Sequence, residues 1–381
     1  MTKTRARLLV ICFVGFISVL GLWSAIKPDR TMSEFENRVL ASFPSFTLEK
    51  LWTGKYTEQL EDYVVDQFVN RDMWVGVKSD LERLSGKAEN NNVFFGKQDY
   101  LFERFEAPMD MLDKNMNQIL RFAERQQAHF DSISLLMVPN AQSIYPEYLP
   151  PHAIATDQAQ PPLMAFITKQ LGGTVNIVSL LQMLTEHKNE QQLYFRTDHH
   201  WTMRGAYYGY TAFAESIGIS PVPLEGMQHH LLSEAFYGTY YTKANQRSTK
   251  PDRLELLDPS LPKYEVCIEG SKGCSPSFYH MEALQERDQY KVFFNGNFPI
   301  VNIRVDHQDK EKQRSIIVFK DSYANAFIPY LAQHYTHIQM IDLRYFRFQL
   351  DRYLAEHPAD DILMLYSVTT MAKDDIFKWL N

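Results

Sequence analysis

The sequence predicts an α/β layered fold, a parallel sheet covered by helices on both faces, with a β-rich insertion and an N-terminal transmembrane helix. Three observations carry this expectation. From about Asp110 onward, short apolar runs of strand length alternate with helical stretches, as a sheet buried on both faces requires. The stretch from about 228 to 304 breaks that rhythm with aromatic residues and turn formers. Leu8 to Ile26 is a run of 19 uncharged, mainly apolar residues. The composition, 45% hydrophobic and 22% charged over 381 residues, is that of a folded chain with a sizeable core, and a single globular body is expected. A formal charge of -7 with scattered Lys and Arg offers no basic face for a phosphate backbone, which argues against a nucleic-acid partner.

The N-terminal run comes first. At about 1.5 Å per residue, Leu8–Ile26 approaches the roughly 30 Å of bilayer hydrocarbon. Lys3, Arg5 and Arg7 precede it, so the positive-inside rule keeps the tip cytoplasmic and exports the chain beyond Lys27. The alternative is a cleaved signal peptide. It needs small residues at the cleavage site, and Trp23 spoils the best candidate, so an uncleaved anchor is expected. Residues 1–27 thus read as tip and anchor, 28–109 as a helical stalk or cap with a hairpin, and 110–381 as the α/β body. Leu48 to Leu84 has helical spacing broken at Gly54 and at Asn70-Arg71-Asp72, and Asn92 to Phe102 reads as the hairpin. The expected strands are Ser132–Val138, Thr174–Val178, Leu193–Arg196, Ser315–Phe319, Ile338–Ile341 and Ile362–Tyr366; the insertion reads as an excursion from their sheet. Cys12 lies in the membrane run. Cys267 and Cys274 flank a segment holding Gly270 and Gly273, and in an oxidising compartment a disulfide is favoured over two free thiols. The absence of a CxxC spacing argues against a cysteine zinc site.

Two segments carry chemistry. Arg196-Thr197-Asp198-His199-His200-Trp201-Thr202 sits between an apolar run and a helix expected from Met203 to Ile217. An acid two residues before a histidine in extended chain points the same way as the imidazole and can fix its tautomer, leaving the other nitrogen as a base. The bland alternative is a helix cap beside a surface histidine. Ile316-Ile317-Val318-Phe319-Lys320-Asp321-Ser322-Tyr323 runs from a strand through a polar turn into a helix reaching Leu331. A serine there stands at the top of a sheet, where helix-start N–H groups can stabilise an oxyanion; by itself it equally reads as an N-cap. Together the segments supply a hydroxyl, a base and an acid that orients the base, the three parts of nucleophilic acyl transfer.

Tyr194 to Thr202 together with Lys320-Asp321-Ser322-Tyr323-Ala324-Asn325 resembles the bacterial DHHW protein family and, more distantly, the SGNH-hydrolase-like domain of the alginate O-acetyltransferases. Asn37-Arg38, Asn70-Arg71 and Val93-Phe94-Phe95-Gly96 fit the same family. The resemblance implies a flavodoxin-like SGNH fold with Asp198 and His200 upstream of the nucleophile Ser322, in permuted order. It also implies acetyl transfer to polysaccharide hydroxyls, with acyl groups brought across by a membrane-bound O-acyltransferase as partner. The chain departs from the usual Gly-Asp-Ser block in carrying Lys320 before Asp321.

SGNH enzymes take oxyanion donors from a glycine N–H and an asparagine amide at separate strand ends. Gly296 and Asn297 are candidates, with an ordinary Asn-Gly turn as the alternative, and Asn140 occupies another strand end. Asp-His-His also suggests the manganese-binding DHH phosphoesterases. Their further aspartate and glycine-rich histidine motifs are missing from this sequence, so neither a metal nor another cofactor is expected. His199 is expected to point opposite to His200, and Trp201 to be a packing anchor. The residues support two functions: a membrane-anchored serine-dependent O-acetyltransferase or acetylesterase acting on cell-surface polysaccharide, or a non-catalytic accessory that binds polysaccharide or scaffolds a membrane O-acyltransferase complex.

Overall fold

A computed structural model of the chain describes residues 3–33, 36, 38–151, 153, 160–309 and 312–381, so Asn37 of the Asn37-Arg38 pair lies outside the described residues. The chain forms two compact units, the first from residues 1–90 with Asn245–Ser248, the second from residues 91–244 with 249–381.

The first unit holds α1 (Lys3–Ile26), α2 (Leu48–Trp52), α3 (Lys55–Asp66) and α4 (Arg71–Leu84). Within α1, Arg7–Ile26 is long and apolar enough to cross a membrane, and none of that span is buried. Gly54 separates α2 from α3 with φ +77, a left-handed conformation that a Cβ would penalise. Asn70 enters the same region at φ 52 and starts α4. Asp66, at the end of α3, accepts two bonds from the Arg38 guanidinium at 2.5 and 2.9 Å and the Ala41 N–H at 2.8 Å.

The second unit opens with the hairpin β1 (Val93–Phe95) and β2 (Leu101–Glu103), followed by α5 (Met109–Gln126), β3 (Ser132–Val138), α6 (Gln160–Leu171), β4 (Asn176–Ser179), α7 (Leu181–His187) and α8 (Met203–Ser216). Next come β5 (Gln228–Phe236), α9 (Thr239–Ala244), β6 (Asp252–Asp258), β7 (Tyr264–Ile268), β8 (Cys274–Ser275) and β9 (Ile300–Val305). The chain finishes with β10 (Ser315–Lys320), α10 (Ala324–Leu331), β11 (His337–Ile341), α11 (Leu350–Glu356), β12 (Asp361–Ser367) and α12 (Val368–Lys373). The hairpin packs with this unit: Phe94 and Phe102 are fully buried in its core, and the Leu101 N–H bonds the Arg196 carbonyl at 2.8 Å.

Eight strands form one sheet in the order β8-β7-β9-β11-β10-β12-β3-β4. β11, β10, β12, β3 and β4 are mutually parallel, and β9, β7 and β8 extend the β11 edge antiparallel. Period-two alternation sorts the parallel strands' side chains into two cores. Leu136, Val138, Ile316, Val318, Leu363 and Leu365 face a layer containing α8 and α10. Leu135, Met137, Ile317, Phe319, Ile362 and Met364 face a layer containing α5, α11 and α12. Both faces are therefore covered, which is why these strands read as continuous apolar runs.

Two expectations need correction. The insertion does not simply leave the sheet. Only β5 and β6 form a separate antiparallel ribbon, while β7, β8 and β9 join the sheet edge, with Cys267 and Cys274 linked by a disulfide across the β7–β8 pair. Leu193–Arg196 is not a sheet strand either. Its apolarity reflects burial, and its backbone is satisfied by a bridge between Tyr194 and Trp201 and by the Asp252 carboxylate, which accepts the Arg196 and Thr197 N–H groups at 3.0 and 2.8 Å.

Candidate active site

Ser322 occupies the turn between β10 and α10. Asp321 shapes that turn. Its carboxylate accepts the Tyr323 N–H at 3.0 Å, the Ser367 N–H at 2.8 Å and the Thr370 hydroxyl at 2.9 Å, tying the turn to the carboxyl end of neighbouring β12. The Asp-His-His-Trp loop is fastened to the same turn by two cross-links. Trp201, fully buried, donates its indole N–H to the Tyr323 carbonyl at 3.0 Å, and the Tyr323 hydroxyl donates to the His199 carbonyl. Segments more than a hundred residues apart in sequence thus meet as one rigid rim.

The three candidate residues converge there. His200 Nε2 lies 2.7 Å from Ser322 Oγ, and His200 Nδ1 lies 2.5 Å from Asp198 Oδ1. Asp198 also accepts the His200 N–H at 2.9 Å and, through Oδ2, the Thr239 N–H at 2.7 Å and the Thr239 hydroxyl at 2.9 Å. With Asp198 2% and His200 5% exposed, solvent screens these contacts little. Burial pushes the Asp198 carboxyl up, but the neighbouring His199 and His200 and the hydrogen bonds it accepts outweigh burial and hold it far below the usual carboxylate range. Burial, reinforced by His199 and opposed by Asp198, lowers His200 to about 4. The imidazole is therefore neutral at neutral pH, with N–H toward the carboxylate and a lone pair toward the serine hydroxyl. Tyr290 stacks flat on the His200 ring, centroids 3.7 Å apart and planes 8° apart, and shields it from water.

Sequence reasoning missed three contributors. Tyr290, Thr239 and Gly238 all come from the insertion, and no local motif marks them. Gly238 is required by close approach: a Cβ there would fall 2.2 Å from the Asp198 Cβ. Lys320 stands out in the sequence as the departure from the Gly-Asp-Ser block. It is 1% exposed, and its Nζ donates to Asn297 Oδ1 and Asn325 Oδ1, both at 2.6 Å. Burial, partly offset by Asp342, lowers its pKa to about 8.

The other candidates separate. Asn297 is held by Lys320, two residues from Ser322. Gly296 has φ +112, and its N–H is used within its own turn, to the Phe293 carbonyl at 3.3 Å. Asn140 is buried, with its side-chain amide paired to the Thr369 hydroxyl at 2.9 Å rather than to the triad. His199 does not point away from His200. The chain bends at this loop instead of running extended, so the two rings lie side by side, centroids 3.8 Å apart, with His199 Nδ1 2.7 Å from the Thr239 hydroxyl. Asp198, His199 and His200 each present a ligand atom within 4.8 Å of the others. A metal bound there would take the atoms that couple Asp198 to His200, so metal and triad exclude each other.

Fold and site define a mixed α/β protein with a serine, histidine and aspartate converging at the carboxyl ends of its parallel strands. The sequence profile of the DHHW protein family matches residues 112–341, and the chain belongs to this family. It is 23% identical over 243 residues to the probable alginate O-acetylase AlgJ of Pseudomonas syringae pv. tomato, an overlap of 62% of this chain and 58% of that relative's length. The namesake from Pseudomonas fluorescens is 24% identical over 342 residues, covering 87% of this chain and 79% of the relative. A crystal structure of a DHHW family protein from Eubacterium siraeum superposes with a TM-score of 0.65 at 21% identity, covering 77% of this chain and 95% of that one. Bacillus cereus PatB1 with a sulfonyl adduct gives 0.62 at 20% identity, covering 75% and 96%. These two structures share the fold.

Proposed function

We propose that the chain is an exported, membrane-anchored SGNH-type acyl transferase or esterase that acts on hydroxyls of a cell-surface polysaccharide. In this reading residues 1–27 anchor the chain, with the body outside the cytoplasm, and a membrane-bound O-acyltransferase supplies the acyl group. The observation that carries the proposal is the unbroken contact chain from Asp198 through His200 to Ser322, at 2.5 and 2.7 Å. The strand order supports an SGNH assignment. Counting the parallel strands from β10, the order across the sheet is 2-1-3-4-5, the flavodoxin-like arrangement, circularly permuted so that the nucleophile strand comes after the Asp-His loop. The names of the AlgJ relatives support acetyl transfer to a polysaccharide.

Ser322 Oγ attacks the acyl carbonyl while His200 Nε2 takes the hydroxyl proton, and Asp198 orients the ring and stabilises the resulting imidazolium. The Ser322 N–H and the Asn297 amide, held by Lys320, stabilise the oxyanion. The tetrahedral intermediate collapses, the carbonyl–leaving-group bond breaks, and His200 returns its proton to the leaving oxygen. A sugar hydroxyl, or water, then loses its proton to His200 and releases Ser322 by the reverse sequence.

The test is acetate release from a small aryl ester by the parent and by Ser322→Ala. A loss of about 10³-fold or more in an intact fold is expected, because acyl-enzyme chemistry has no substitute for the hydroxyl. An unchanged rate, or no activity on aryl or polysaccharide esters in the parent, would leave the accessory role as the better account.

A further inference from the structure

The first unit exposes apolar side chains that acyl transfer does not use. Phe43, Phe46, Leu48, Leu51 and Trp52 stand in solvent within ten residues, with Leu48 77% and Trp52 94% exposed. Helical spacing gathers three of them: Leu48, Leu51 and Trp52 fall at i, i+3 and i+4 of α2, on one side of the helix. Lys50, between them, turns its ammonium back to the Ser45 hydroxyl at 2.7 Å. Exposed apolar side chains gathered in this way mark an interaction surface.

Its position within the unit identifies the partner. The Ser24 hydroxyl, inside the apolar span of α1, accepts the Val69 N–H at 3.0 Å, which seats the α3–α4 turn against the last turn of the helix. Gln67 donates its amide to the Arg30 and Ala41 carbonyls at 2.9 and 3.0 Å, clasping the chain just before Phe43 to the chain just after α1. Tyr63 donates to Asp29 at 2.8 Å while its ring packs on Phe43, centroids 5.2 Å apart. Asp29 lies three residues beyond Ile26, a reach of about 11 Å at most. The headgroup layer is roughly 5–7 Å deep on each side. Phe43 is thus tied to the chain just beyond the span, and residues 46–52 follow it directly, within reach of the zone where aromatic belts and interfacial helices lie.

From this placement we infer that residues 43–52 form a second membrane contact, an apolar shelf seated in the headgroup boundary of the leaflet that α1 leaves. The inference rests on α1 spanning the bilayer and is independent of the acyl-transfer chemistry. Its role is to fix the height of the first unit above the membrane.

The test uses the full chain in nanodiscs of zwitterionic lipid, spin-labelled one site at a time. Native Cys12, inside α1, reports the span. In a Cys12→Ser background, Leu48→Cys and Trp52→Cys report the shelf, and Glu58→Cys on α3 is the aqueous reference. Labels at 48 and 52 are expected to collide with oxygen and to be shielded from a water-soluble nickel chelate, as at Cys12, while the label at 58 meets the chelate. Chelate access at 48 and 52 equal to that at 58, with Cys12 still in hydrocarbon, would overturn the shelf and leave the anchor standing. Shielding from both reagents would mean protein contact rather than lipid and would also overturn it. A water-exposed Cys12 would remove the span and the shelf together.

Discussion

Replacing Gly238 with Ala tests the site through a residue outside the Asp198, His200 and Ser322 set. The added Cβ would sit 2.2 Å from the Asp198 Cβ, 2.6 Å from Cγ and 2.3 Å from Oδ2. Ordinary contacts there are at least 3.4 Å, so the carboxylate must retreat by about 1 Å or the 238–239 backbone must withdraw. Retreat breaks the 2.5 Å contact to His200; withdrawal removes the two Thr239 bonds to Oδ2. A misplacement of about 1 Å in a catalytic group can cost about 10²-fold, near 2.7 kcal/mol of transition-state stabilisation. The assay is kcat and KM on an aryl acetate, with near-ultraviolet circular dichroism to report the fold. Gly226→Ala, where a Cβ meets nothing within 4 Å, is the matched control. The expected result is a kcat loss near 10²-fold with KM little changed, and a control equal to the parent. A folded Gly238→Ala within threefold of the parent would refute the claim that the Asp198–His200 geometry drives the reaction.

Other outcomes rest on the same geometry. In the parent, kcat/KM should fall as pH drops through about 4 and His200 takes a proton. Because the unfolded chain takes up more protons than the folded one between about 4 and the ordinary value of 6.5, stability should rise with pH across that window. Tyr290→Ala uncovers the imidazole, so the acid limb should move up toward 6.5; a limb that stays put would deny the ring its shielding role. Lys320→Met frees Asn297 and Asn325 and should lower kcat by about 10²-fold, the order seen for loss of one oxyanion donor. It should also erase an alkaline limb near 8 that the parent shows as Lys320 loses its proton; a limb persisting in the variant would assign it elsewhere. Zinc should inhibit reversibly by occupying Asp198, His199 and His200, with His199→Asn less sensitive, and an activity indifferent to zinc would show that the triad atoms are closed to it.

Much of the fold was legible because strands buried on both faces leave continuous apolar runs, and Ile316–Phe319 running into Asp321-Ser322 is such a run ending in a turn. The same rule misled at Leu193–Arg196, where apolarity came from burial and the backbone partner, Asp252, lies 56 residues away from Arg196. His199 was misdirected because alternation assumes extended chain, and this loop bends. Tyr290, Thr239 and Gly238 were beyond reach, since their relation to Asp198 and His200 exists only once the insertion has folded back onto the rim. Lys320 was seen as a departure from a motif; its partners, Asn297 and Asn325, make it a clamp.

The order of strands also bears on when the site comes into being. β12, the middle of the five parallel strands, is the last of the sheet to be made, and it joins β3 and β4 to β10 and β11. Until β12 slots between them, the two halves of the parallel sheet are joined through contacts outside the sheet, such as the Trp201 to Tyr323 bond that fastens the imidazole's loop to the hydroxyl's turn. Under the proposed reaction, a chain clipped before β12 carries every reactive side chain without the central strand that aligns them, and it is expected to be inactive on an aryl ester.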